Sequence, residues 1–76
     1  MTRKKSFQFH LKQLEETFTE YLDTKNAKDK LTRLRELRCY LRIIKQIAEQ
    51  IENEEYRKAP HLALRRIMTI ERQINP

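Results

Sequence analysis

Between Asp29 and Glu55 the apolar residues Leu34, Leu37, Leu41, Ile44, Ala48 and Ile51 recur at alternating steps of three and four. That rhythm marks one face of an α-helix. Tyr40, Ile43 and Ile47 repeat it on the neighbouring strip, which makes the apolar face wider than a coiled-coil seam. No Gly or Pro interrupts the run, and nothing in it reads as a stop before Asn53. The expected helix covers about 27–55 and is roughly 45 Å long at 1.5 Å per residue.

Shorter helices are expected on either side. Ser6 has the side chain of an N-cap, and Phe7, Leu11, Leu14, Phe18 and Tyr21 or Leu22 follow at helical spacing, so the first helix is placed at about 6–23. Phe9 lies off that stripe, as a rim contact or an exposed aromatic. Thr24, Asn26 and Asp29 are all candidate caps for the second helix. Pro60 disfavours helical geometry at Ala59 and suits a first turn, so the third helix is placed at about 60–74, with Ala63, Ile67, Ile70 and Ile74 on its stripe and Leu64 and Met68 beside them. Residues 1–5 are expected to be a disordered basic arm and 6–76 a single α-helical domain.

The fold class is therefore all-α: three helices with a long central one, in a helical bundle completed by dimerisation. If each outer helix covers half of the central one, a Z-shaped arrangement leaves an apolar strip for a second copy. The alternative is a compact monomeric three-helix bundle whose middle helix is kinked or ends early. The width of the apolar face favours the homodimer, through Tyr40, Ile43, Ile47, Ile51, Phe9 and Met68.

A net charge of +6 favours an acidic partner: nucleic acid, an anionic membrane surface or an acidic protein. The charge comes in blocks, alternately positive and negative: +3 over 1–5, −3 over 12–23, +6 over 25–45, −4 over 49–55 and +4 over 57–72. Antiparallel helices would pair the acidic end of the first with the basic start of the second, and Glu49–Glu55 with Arg57–Arg66. Much of the basic charge is then neutralised by neighbouring acids. What survives is a strip of the central helix away from its apolar face, Lys28, Arg35, Arg38, Arg42 and Lys45. Its arginines suit phosphate because a guanidinium binds it bidentately. Arg3, Lys4 and Lys5 would add non-specific contacts of the same kind. The plain competing reading is a solvated helix face. No zinc-finger spacing, RNP-like aromatic pattern or P-loop supports the strip, and a helix-turn-helix would usually have a Gly in its turn.

Catalysis has little to stand on. Ser6 is the only serine, there is no Gly for a nucleophile turn, and no acid sits inside an apolar run. His10 and His61 are far apart with no second ligand at a helical offset, so no metal and no cofactor is expected. Cys39, between Arg35, Arg38 and Arg42, is a candidate reactive thiol but fits better as a small inert side chain near the edge of the core. One cysteine, no signal-peptide pattern and no membrane-length segment predict a cytoplasmic protein. The expected function is thus a small non-enzymatic basic helical protein that binds nucleic acid through the strip on its central helix. The alternative is a protein–protein interaction module (an adaptor, inhibitor or antitoxin-like regulator) that docks a partner through leftover apolar surface. A small-molecule substrate and a membrane partner are not expected.

Overall fold

A computed structural model of the chain describes residues 2–74. Met1, in the expected arm, and Asn75 and Pro76, at the end of the expected domain, lie outside the described residues. The chain forms three helices, α1 (Arg3–Asp23), α2 (Ala27–Glu49) and α3 (Glu54–Ile74), and the described residues contain no strand. The fold is all-α, as the periodicity predicts.

The helix ends are set by capping. The Lys5 amide donates to Thr2 Oγ1 at 3.2 Å, so Thr2 is the cap of α1 and Ser6 falls inside the helix. Arg3, Lys4 and Lys5 are thereby the first turn of α1 and not an arm ahead of it. Asn26 caps α2: its Oδ1 accepts from the amides of Lys28 at 2.8 Å and Asp29 at 3.4 Å. The Asp29 carboxylate in that first turn complements the positive end of the helix dipole.

The central helix stops at Glu49, short of the expected 55. Gln50 caps it, and its amide bonds back to the Ala48 and Ile47 carbonyls. Asn53 then starts the next helix, accepting from the Glu55 amide at 3.0 Å through Oδ1 and from the Tyr56 amide at 3.2 Å through its carbonyl. With Glu54 and Glu55 in the first turn the dipole is again complemented. α3 therefore begins six residues before Pro60, which sits in the helix interior, buried. No described residue has positive φ, so both turns are made without the conformation that glycine favours.

α2 runs back along α1, and α3 returns along both. Each helix is about 32–35 Å long at 1.5 Å per residue, and the longest extent of the structure is 39 Å. The three therefore lie side by side, and the Z-shaped arrangement is overturned: both outer helices are nearly as long as the middle one. Leu14 of α1, Leu37 and Ile44 of α2 and Ile67 of α3 are fully buried at the centre. Phe7, Phe18 and Leu34 extend this core. Ile51, in the α2–α3 turn, is buried at 7% exposure and closes the end of the bundle. Of the two candidates at the end of the α1 stripe, Tyr21 is inside and Leu22 is 74% exposed. One buried polar residue, Thr17, was not expected in the core; its hydroxyl donates to the Gln13 carbonyl at 2.8 Å and so enters satisfied.

α1 and α3 meet through side chains at two levels. The Phe7 and Tyr56 rings pack edge to face at 5.0 Å. Further along, the Arg66 guanidinium lies 3.7 Å from the centroid of Phe18 and donates to both Glu15 carboxylate oxygens, at 3.1 and 3.0 Å. The expected pairing of Arg66 with Glu49–Glu55 is thus replaced by a contact with α1. The other expected pairing is seen: Arg33, near the start of α2, reaches Glu20 near the end of α1 at 3.3 Å. These pairs are largely exposed and worth about 0–1 kcal/mol each, so they fix register more than they stabilise.

Pro60 carries a prediction. In a helix interior it lacks the N–H that would bond the carbonyl four residues back, a penalty of roughly 3 kcal/mol. Its buried ring returns part of that, at about 0.8 kcal/mol per buried CH2. Pro60→Ala is therefore expected to stabilise the protein by about 1 kcal/mol, read from the urea midpoint at constant m-value. A lower midpoint would mean that ring packing outweighs the restored hydrogen bond.

Candidate nucleic-acid interface

Lys28, Arg35 and Arg42 are seven residues apart, and at 100° per residue they fall within about 40° of one another on the outer side of α2. All three are exposed. Consecutive members are separated by two helical turns, about 10.5 Å. Among the described residues, none of the three lies in an ion pair with a carboxylate.

The rest of the expected strip is placed differently. Arg38 and Lys45 are rotated about 60° from the row, toward α3. Arg38 is paired with Glu71 of α3, so its charge is partly spent within the fold. Lys45 is exposed on the edge of a groove between α2 and α3. Arg3, Lys4 and Lys5 are exposed in the first turn of α1, at the end of the bundle where α2 finishes, and hence at the far end from Lys28.

The ion pairs found among the described residues engage Arg33, Arg38, Lys58 and Arg66 with Glu15, Glu20, Glu36, Glu55 and Glu71. That is four of 17 basic residues against five of 11 acidic ones. Pairing within the fold therefore leaves the positive excess of the chain intact at the surface, and the α2 row carries a share of it.

The expected interface residues divide three ways. Ile51, expected at the interface, is buried at 7% exposure in the core of its own chain. Tyr40, Ile43 and Ile47 are half-buried, Tyr40 and Ile47 against the core. Phe9 and Met68 are exposed, at 52% and 44%.

The groove between α2 and α3 encloses about 560 Å³. Leu41 and Ala48 of α2 and Pro60 and Leu64 of α3 form its floor, with Lys45 and Arg57 among the side chains on its edge. Ala48 and Pro60 are buried beneath it, and Leu41 and Leu64 carry its exposed apolar surface. The sequence carries a signal for one wall of it: Arg57, His61 and Leu64 step by four and three along α3, a second row beside the buried one.

Cys39 is exposed on the outer side of α2 and not at the core edge. His10 is half-buried, its Nδ1 2.7 Å from the Ser6 carbonyl oxygen, and His61 is on the groove edge. Among the described residues no three His, Cys, Asp or Glu side chains come together as a metal site, and no helix is long and apolar enough to cross a membrane. In comparisons with known proteins, no family model, no curated protein and no solved structure matches the chain.

Proposed function

We propose that the protein is a non-enzymatic binding module that holds the phosphate backbone of nucleic acid along the outer side of α2. The observation that carries this reading is the row Lys28, Arg35, Arg42: exposed and outside every ion pair among the described residues. A straight helix spaces the three at about 10.5 Å, far enough apart for each to meet a different phosphate. Arg35 and Arg42 supply bidentate forks and Lys28 a point charge. Contacts of this type position a backbone without reading bases, so binding is independent of sequence.

The test is fluorescence anisotropy with a labelled duplex and a labelled single strand of arbitrary sequence, titrated over a series of salt concentrations. Three neutralised phosphates at about 0.9 each give an expected slope of log K against log[salt] near −3 for duplex. Absence of binding to either probe at low salt would end this reading.

A further inference from the structure

We propose that the groove between α2 and α3 is a docking site for an acidic amphipathic helix of a partner protein. The groove does not depend on the phosphate-binding row, because its floor is apolar. Leu41 and Ala48 on one wall and Pro60 and Leu64 on the other form that floor, and Leu64 remains 42% exposed. Met68, one turn beyond Leu64 on α3, is 44% exposed.

The occupant follows from three properties of the site. First, its edges are basic. Lys45 and Arg57 stand on opposite walls, with His61 one turn from Arg57 and one acid, Glu49, one turn from Lys45. Apolar residues flanked by carboxylates complement that arrangement. A second copy of this groove complements it less well, because its lining carries two cations, Lys45 and Arg57, against one acid, Glu49.

Second, the groove is walled by helices whose backbone hydrogen bonds are internal. It presents no strand edge, so an extended peptide would find no backbone partners there. An incoming segment must satisfy its own amides and carbonyls, as a helix does. Polyproline segments dock against walls of Tyr, Trp and Phe, and none of these lines this groove.

Third, the length fits. From Leu41 to Glu49 is about 12 Å along α2, and from Arg57 to Leu64 about 10.5 Å along α3. Two turns of an incoming helix, with apolar residues at i, i+3 or i+4, and i+7, cover that distance. Nucleic acid fits the floor poorly, since single-stranded binding sites stack bases on aromatic side chains and the floor here, Leu41, Ala48, Pro60 and Leu64, is aliphatic.

The experiment uses the isotope-labelled full chain and two synthetic helices of about four turns. Both carry leucines at i, i+3, i+4 and i+7, one with glutamates and the other with lysines on the remaining face. The glutamate helix is expected to shift the amides of Leu41, Lys45, Ala48, His61 and Leu64 saturably, with the lysine helix at least tenfold weaker. Lys45→Glu with Arg57→Glu, both exposed positions, should reverse that preference. Leu64→Glu should abolish the shifts, and Leu64→Ala should weaken them without disturbing the fold. The proposal is overturned if neither helix shifts these amides, if both do so equally, or if the double charge variant keeps the original preference. It is equally overturned if these amides move with protein concentration alone, which would assign the groove to a second copy, or if an oligonucleotide shifts them as strongly as the glutamate helix. Failure here leaves the salt-dependent binding along Lys28, Arg35 and Arg42 untouched, because that is read with a different probe at a different face.

Discussion

Ile44→Ala is expected to destabilise the protein by about 2–5 kcal/mol. Ile44 is completely buried, in the middle of α2, among the side chains that join the three helices. Truncation removes transfer energy and leaves a cavity that a rigid helical backbone refills poorly. A domain of this length has a total stability of roughly 4–11 kcal/mol at 0.05–0.15 kcal/mol per residue. The substitution therefore takes a large share of what holds the fold, and at the upper end leaves the chain mostly unfolded at 37 °C. Leu22→Ala is the matched comparison: the same chemistry at 74% exposure should cost no more than about 0.5 kcal/mol. Urea unfolding of the two variants decides the matter. Equal costs would place the core somewhere other than on the 34–37–41–44–48 face.

The second large effect concerns binding. Replacing Lys28, Arg35 and Arg42 together by Glu should remove the three phosphate contacts and add repulsion at the same places. At low salt the affinity for duplex is expected to fall by more than a hundredfold, and the salt slope to drop by about 3. A charge-matched control replaces Lys12, Arg65 and Arg72, all exposed, by Glu. Its net charge is the same, yet its affinity should fall only by the few-fold that long-range attraction contributes. If both triple variants lose affinity equally, the protein attracts nucleic acid through its overall charge and the row has no special part.

The face of the central helix was readable because burial imposes a period. Leu34, Leu37, Ile44 and Ala48 are inside because they recur at the helical step, whatever they pack against. Helix ends were less readable, since they hang on single hydrogen bonds. Thr2 and Ser6 are equally good caps as residue types, and the amide of Lys5 chose Thr2. Asn53 looked like fading periodicity, but its side chain starts α3 and so separates what had seemed one helix. Pro60 suggests a beginning because its ring favours a first turn, yet it is buried in the interior of α3, where the local preference is unfavourable. The same division runs through the binding surface. Helical spacing alone places Lys28, Arg35 and Arg42 on one line, while the pairing of Arg38 with Glu71, 33 residues away, needs the tertiary structure.

The two connections between helices are only Thr24–Asn26 and Gln50–Asn53. Each closes with little loss of chain entropy, and every helix finds its main partner next to it in the sequence. Chains with such local contacts assemble within microseconds to milliseconds, so a newly made copy would expose its greasy surfaces only briefly before they are covered.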